Sequence, residues 1–248
     1  MTDFNGRYPA IPAPAEMAVD QGLRAFMTSV YNKLALGLLL AAGLAYVTSS
    51  VPAVRDLLFQ VTADGRFAGY TLPGLVVVFA PLALIFLSMF TMRNPTASGA
   101  SMLYWLVVAT MGASLGTVLL IYTGASAALT LGITALAFGG LSLVGYTTKR
   151  NLTGMGSFLI MGVIGLLIAM VVNMFLRSPM MHLIISGLGV LIFSGLIACD
   201  TQRLKYTYYA VTGDQNAMGV ASSWGALSLF INFVNLFQFL LQFLGARR

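Results

Sequence analysis

Seven long apolar stretches, separated by short polar segments, constrain this chain more than any other feature of its sequence. A helix needs about 20 apolar residues to cross the hydrocarbon core of a bilayer, and each stretch is long enough. Within a few residues at each end they cover 30–51, 72–90, 103–122, 127–146, 154–176, 182–200 and 224–244. We therefore predict an all-α polytopic membrane protein, a bundle of seven transmembrane helices.

The composition agrees with this prediction, because the 248-residue chain is 58% hydrophobic and only 8% charged. Soluble domains carry about 25% charged residues, so the surface of this protein must face lipid. The length suits one compact bundle, and we expect a single transmembrane domain over residues 23–248. Residues 1–22 contain acidic residues and prolines but no long apolar core. They do not form a secretory signal, and we predict a mobile polar tail.

Cysteine and histidine are too rare for a disulfide framework or a metal cluster. The chain has one of each, Cys199 and His182, so we expect no internal disulfide, no zinc site and no resident cofactor. The formal net charge of +6 does not indicate a nucleic-acid partner, because the basic residues are spread thinly over many loops. They resemble topology markers, and the expected partner is the lipid bilayer.

The positions of lysine and arginine predict the orientation. The side that holds the N-terminus carries eight basic residues, which are Arg7, Arg24, Lys33, Arg93, Lys149, Arg150, Arg203 and Lys205. The opposite side carries five, which are Arg55, Arg66, Arg177, Arg247 and Arg248. Cytoplasmic loops are enriched in basic residues. We therefore expect the N-terminus in the cytoplasm and, with seven spans, the C-terminus on the far side.

A G-x-S-x-G pattern, residues 112–116, lies in the third span. In hydrolases this pattern forms a strand-to-helix turn that exposes a nucleophilic serine. Here it is surrounded by an apolar helix, and Ser114 lies about two helical turns from the membrane side that holds His182. Small residues four apart also allow close helix contact in lipid. We interpret the pattern as a packing motif and expect no enzymatic activity.

Asp200 is the acidic residue that falls at the edge of an apolar span, just before the segment 201–223, which we predict to be the longest and most polar loop. Carboxylates in such positions are unfavourable in lipid and usually face a bundle interior or a watery path. That reasoning makes Asp200 a candidate ion-binding or gating residue. The alternative is that Asp200 caps the helix end near Arg203 and water.

The seventh span carries a polar stripe at helical spacing, formed by Ser228, Asn232, Asn235 and Gln242. A helix exposed to lipid would not carry such a stripe, so we expect the other helices to surround the seventh. Two interpretations are open and compatible. The stripe provides interhelical hydrogen bonds, each worth about 0.6 kcal/mol, or it lines an ion path.

Three stretches resemble the Bax inhibitor-1 family, also called the transmembrane Bax-inhibitor-motif or YccA-like family. They are G-Y-T-T-K-R-N-L at 145–152, F-S-G-L-I-A-C-D-T-Q-R at 193–203 and A-L-S-L-F-I-N-F-V-N-L-F at 226–237. The second is similar to the family's G-L-I-x-Y-D-T-Q signature, and the third to its closing L-Y-L-D-F-I-N-L-F. The resemblance extends over nearly the whole chain after the N-terminal tail.

This resemblance implies seven helices with the last one central, and a calcium leak gated by pH through two aspartates that share a proton. Asp200 matches the first aspartate, whereas Asn232 occupies the position of the second. Asn232 does not titrate, although its carbonyl oxygen is a group that calcium accepts as a ligand. We therefore take Asp200 as a candidate metal ligand, Asn232 and Asn235 as candidate residues of the ion path, and Arg93 as a candidate counter-charge.

Two functions follow as hypotheses. The first is a cation leak channel, with calcium as the permeant ion and the gate near Asp200. The second, which the resemblance implies for some bacterial relatives, is a regulator that binds a membrane protease complex of the FtsH type, for which the tail 1–22 would be suited. In both, the expected location is the bacterial inner membrane. The sequence does not determine the oligomeric state.

Overall fold

The computed structural model describes residues 21–63, 66–91 and 94–246. The elements, in chain order, are α1 (Gln21–Ser50), α2 (Pro52–Leu58), β1 (Phe59–Val61), β2 (Phe67–Tyr70), α3 (Leu72–Thr91), α4 (Ala97–Ser114), α5 (Gly116–Ile121), α6 (Gly124–Thr147), α7 (Thr153–Leu176), α8 (Pro179–Val211) and α9 (Gln215–Leu244). Residues 21 and 22, which we assigned to the tail, begin α1, and residues 1–20 lie outside the described residues.

Within the described ranges, seven helical segments are long and apolar enough to cross a membrane. They are α1, α3, α4 together with α5, α6, α7, α8 and α9. Backbone groups in hydrocarbon have no water to bond, and a helix satisfies them internally. The predicted all-α fold with seven spans is confirmed. The third span is interrupted at Leu115, between α4 and α5, which the apolar pattern did not predict.

The predicted long polar loop over residues 201–223 is wrong. Helix α8 continues to Val211 and α9 begins at Gln215, so residues 212–214 form the whole connection. An apolar window detects only the part of a helix that lies in hydrocarbon. The polar end of α8 stays helical because it packs on its neighbours, as when the Lys205 ammonium donates to the backbone carbonyl of Tyr146 in α6.

The segment between the first two spans folds into α2 and a short antiparallel hairpin, β1–β2. Pro52 occupies the first turn of α2, where its missing N–H leaves no hydrogen bond unmade. The ring of Phe59 is buried, with its centroid 6.1 Å from that of Phe67 and 6.0 Å from that of Tyr70. Phe59 also packs with Leu120 of α5. These apolar contacts hold the hairpin against the bundle.

Helix α9 is the most buried of the seven spans. In its most apolar window 56% of the residues are buried, against 11% in α3 and 6% in α7. It contacts α1, α4, α6 and α8. None of the four stripe residues is exposed: Ser228, Asn235 and Gln242 are half-buried, and Asn232 is buried. The polar stripe of α9 therefore faces protein, whereas α3 and α7 present their apolar side chains outward.

The G-x-S-x-G pattern packs α4 and α5 against α1. A Cβ atom added at Gly112 would overlap Ala41, and one added at Gly116 would overlap Thr48. Ser114 lies in the last turn of α4, and its hydroxyl donates to the carbonyl of Met111 at 2.7 Å. The packing interpretation is thus confirmed, because both glycines are required for close approach of two helices.

The two ends of the bundle are defined by contacts between helix termini. The hydroxyl oxygen of Ser29, near the start of α1, lies 3.3 Å from that of Ser222, near the start of α9. At the opposite end, Thr123 after α5 donates its backbone N–H to the carbonyl of Ala246 at 3.1 Å. We call the end with Ser29 and Ser222 the near end, and the end with Thr123 and Ala246 the far end. The first and last described residues lie at opposite ends.

Candidate functional site

Asp200 lies on α8 with its carboxylate turned toward α9, and its side chain is 13% exposed. One oxygen, Oδ2, accepts hydrogen bonds from the hydroxyl of Ser228 and from the side-chain amide of Asn232, the latter at 2.8 Å. The other, Oδ1, lies 3.1 Å from the guanidinium of Arg203. A buried carboxylate is unfavourable unless it is paired and hydrogen-bonded, and here both oxygens have partners.

The stripe on α9 supplies most of these contacts because residues four apart lie on one helix face. Ser228 and Asn232 meet Asp200, and Gln242 accepts a hydrogen bond from Ser186 of α8 at 3.3 Å. Asn235 instead donates to the carbonyl of Ile231 in its own helix, so the structure does not bring its amide to the carboxylate. The stripe joins α9 to α8 through hydrogen bonds, as one of our two interpretations expected.

The positive charge beside Asp200 is Arg203. Arg93, which we predicted as the counter-charge, lies outside the described residues. The spacing in the sequence is consistent with this ion pair, since Arg203 follows Asp200 by three residues and therefore lies on the same helix face. In the sequence analysis, Arg203 entered only through the alternative that Asp200 caps a helix end. The side chain of Arg203 is 65% exposed, so the ion pair sits at the boundary between bundle and surroundings.

The D-T-Q run at 200–202 attaches α8 to three neighbours. Its aspartate contacts α9, and the hydroxyl of its threonine lies 3.3 Å from that of Ser142 in α6. Its glutamine accepts from the backbone N–H of Leu152 and donates to the carbonyl of Arg150, both at 2.7 Å. Successive helical side chains point about 100° apart, so three consecutive residues reach α9, α6 and the α6–α7 connection.

The three stretches that carry the family resemblance form one connected network. The stretch 145–152 is bound to 193–203 through the glutamine of the D-T-Q run. Just beyond it, the ammonium of Lys205 also lies 5.3 Å from the ring centroid of Tyr146. The stretch 193–203 is bound to 226–237 through Asp200. The three stretches lie between residues 145 and 237 of the sequence, and in the fold they are linked to one another through the D-T-Q run of α8.

Two cavities lie along α9, one at each end. The near-end cavity measures about 310 Å³, and its lining includes Arg203, Ser228 and Ile231. The far-end cavity measures about 430 Å³, and its lining includes His182 and Gln238. On α9, Ile231 and Gln238 are separated by only about 10 Å, at 1.5 Å per residue. Two partners of Asp200, Arg203 and Ser228, therefore line the near-end cavity, and a short packed segment of α9 separates that cavity from the far-end one.

Ser114 and His182 both line the far-end cavity, although the sequence argument placed them at different depths. The hydroxyl of Ser114 donates within its own helix, and no hydrogen bond joins it to His182 among the described residues. The pair therefore lacks the contact between nucleophile and base on which serine hydrolases depend.

Oxygen atoms dominate the donor set around Asp200. The described residues contain no group of three or more histidine, cysteine, aspartate or glutamate side chains that could hold a metal ion. The site instead offers one carboxylate together with the neutral oxygens of Ser228 and Asn232. Carboxylate, amide and water oxygens are ligands suited to calcium, and a single protein carboxylate is suited to weak, reversible binding.

A bundle of seven apolar spans, with a hydrogen-bonded carboxylate between its two most buried helices, defines an integral membrane protein with an intramembrane acidic site. The family model "Inhibitor of apoptosis-promoting Bax1" matches residues 23–248. The chain therefore belongs to the Bax inhibitor-1 family, as the resemblance predicted.

Individual relatives align over almost their whole length. An uncharacterized protein of Caulobacter vibrioides is 61% identical, with 100% of both chains covered. The uncharacterized protein RP147 of Rickettsia prowazekii is 41% identical over 92% of each chain. The inner membrane protein YbhL of Escherichia coli is 38% identical, over 92% of this chain and 94% of its own.

Proposed function

We propose that this protein is a cation leak channel, with calcium as the permeant ion and Asp200 as its binding residue. The observation that supports this most directly is the position of the Asp200 carboxylate, inside the bundle and beside the near-end cavity. Intramembrane carboxylates are costly and mark ion or proton paths. The hydrogen bonds from Ser228 and Asn232 hold the carboxylate in place. Both side chains also carry an oxygen atom that can act as a ligand to a cation.

Arg203 acts as an internal competitor for this site. Its guanidinium occupies Oδ1 of Asp200, which is the oxygen that an incoming cation would take. The Arg203 side chain is 65% exposed, so its guanidinium can turn outward while the two hydrogen bonds from α9 to Oδ2 remain. The Asp200 side chain is only 13% exposed, so its charge has to be compensated when Arg203 leaves, and the incoming cation does this. Binding at Asp200 is thus an exchange of one cation for another.

Passage from the near-end to the far-end cavity requires a local opening between α8 and α9. The intervening part of α9 carries Phe233, Val234 and Phe237, all buried, together with the half-buried amide of Asn235. Apolar constrictions of this kind gate channels by excluding water. Because the packed segment is only about 10 Å long, a small separation of the two helices connects the cavities.

The proposed location is the bacterial inner membrane, with the N-terminus in the cytoplasm. YbhL of Escherichia coli is an inner membrane protein, and the excess of basic residues on the N-terminal side favours this orientation. The near-end cavity and Asp200 then face the cytoplasm, and the far-end cavity faces the opposite side.

Calcium flux into proteoliposomes, followed with an enclosed dye, tests the proposal. We expect the wild-type protein to give a calcium-dependent dye signal. The flux rate should fall about tenfold or more in Asp200→Asn, and a tenfold change corresponds to about 1.4 kcal/mol. Asp214→Asn is the matched control, since Asp214 caps α9 by accepting from the N–H of Ala217 and asparagine caps equally well.

Flux that is equal in empty and protein-containing vesicles would refute the channel. The protease-regulator hypothesis would then be tested by co-purification that depends on residues 1–22. Flux that survives Asp200→Asn undiminished would show that conduction does not use this carboxylate.

A further inference from the structure

The far-end cavity contains polar side chains to which the carboxylate site gives no role. It is bounded by α3, α4, α5, α8 and α9, with Tyr70 of the hairpin at its edge. Its polar lining residues are Tyr70, Ser114, Thr117, Tyr122, His182, Gln238 and Gln242. No described lysine, arginine, aspartate or glutamate lines it. At about 430 Å³ it has room for several water molecules.

Two side-chain groups at this cavity, Nε2 of His182 and the amide of Gln238, have no hydrogen-bond partner in the described part of the chain. The Nε2 atom of His182 is buried and makes no hydrogen bond to the described part of the chain. An unsatisfied buried polar atom costs about 1–3 kcal/mol, and native proteins contain few of them. The Gln238 amide likewise has no hydrogen bond to a described residue.

The backbone around the cavity favours a positive ligand. Leu115, at the break between α4 and α5, lines it, and broken helices in membranes occur where the chain borders a cavity. The C-terminal ends of α4, α5 and α9 face the cavity, and helix C-termini carry partial negative charge. The positive N-terminal ends at the cavity are those of α5 and α8. At the break the end of α4 and the start of α5 oppose each other, and the C-terminal end of α9 adds to the negative side.

We infer that the far-end cavity is a second cation site, at which a divalent ion such as calcium is held through its hydration water. The inference rests on the proposed function, because it places this site on the same path along α9 as Asp200. The amide of Gln238 and the imidazole of His182 are the groups that hydrogen-bond the ion's water molecules. A lining without carboxylates binds weakly, which suits conduction because a permeant ion must also leave.

Terbium(III) binding tests this site without measuring transport. Terbium takes oxygen ligands as calcium does, and tyrosines close to it sensitise its emission. Tyr70 and Tyr122 line the cavity. We expect saturable sensitised emission from the wild-type protein in detergent micelles. His182→Phe and Gln238→Leu should each raise the half-saturating terbium concentration about fivefold, or about 1 kcal/mol.

Thr134→Val is the matched control, because Thr134 is fully buried in α6 and lines neither cavity. It should leave the terbium titration unchanged. Thermal unfolding of each variant in detergent separates loss of binding from loss of fold. Titrations that match the wild type in both cavity variants would overturn the second site.

Calcium flux distinguishes failure of this inference from failure of the channel. If the wild type conducts, His182→Phe and Gln238→Leu should raise the half-saturating calcium concentration on the far side about fivefold and leave the near-side value unchanged. Unchanged values on both sides would overturn the second site while the channel stands. Absence of any wild-type flux, with the terbium effects intact, would overturn the channel alone.

Discussion

The substitution Asn232→Asp tests the electrostatics of the site most directly. The amide nitrogen of Asn232 lies 2.8 Å from Oδ2 of Asp200, so a carboxylate at position 232 would place two acids in contact. Two unit charges about 4 Å apart repel by about 4 kcal/mol at an effective dielectric constant of about 20. That repulsion favours keeping one proton on the pair by about a thousandfold.

Proteoliposome calcium flux measured across pH provides the assay. A shared proton requires two carboxylates, and the wild-type site has one. We therefore expect wild-type flux to vary little between about pH 6 and 8, the window in which coupled acids titrate, and Asn232→Asp to introduce a pH-dependent step there. Asp200→Asn, combined with Asn232→Asp, should remove that step because it removes one of the two acids.

Asn173→Asp serves as the control for added charge. The side-chain oxygen of Asn173 accepts from the N–H of Ser178 at the far end of α7, and aspartate preserves that acceptor. It should leave the pH profile flat. A steep wild-type transition near neutral pH that Asn232→Asp does not alter would refute the reasoning. The switch would then be another group, and His182 would be the first to test.

Three further outcomes are expected. Gly112→Leu should destabilise the protein by about 1–3 kcal/mol through overpacking, measured by thermal unfolding in detergent, whereas Gly132→Leu, with open space at its Cβ position, should not. Gln202→Leu should free the α6–α7 connection and accelerate trypsin cleavage after Arg150, since two 2.7 Å hydrogen bonds are lost. Cysteine tags at the two chain ends should label from opposite sides, against a silent background from buried Cys199.

Much of the fold follows from the apolar pattern of the sequence and the properties of a lipid bilayer. All seven spans lie where the apolar stretches predicted, because a segment in hydrocarbon must be helical whatever its neighbours. The stripe on α9 also predicted a helix that faces protein. Its pairing partner was not predictable, since a polar stripe shows that a neighbour exists but not which of six it is.

The sequence-based predictions failed where contacts between helices, and not contact with lipid, determine the structure. The polar extension of α8 reads as a loop, yet the interhelical hydrogen bonds of Gln202 and Lys205 keep it helical. The position of Gln238 at the far-end cavity was not predicted either, although Gln238 follows Asn235 by three residues and falls on the polar stripe. His182 and Ser114 line one cavity, which counting residues along separate helices did not predict.

The sequence by itself determined the number of spans and the acidic residue that has to be sheltered. Those properties depend on residue chemistry and on the thickness of a bilayer, and both can be evaluated along a linear chain. The tertiary structure decided which groups pair with Asp200, namely the charge of Arg203 and the hydrogen bonds from Ser228 and Asn232. It also decided where the two cavities lie along α9. Contacts within about 3 Å depend on helix rotation and crossing, and packing against all neighbours at once sets these.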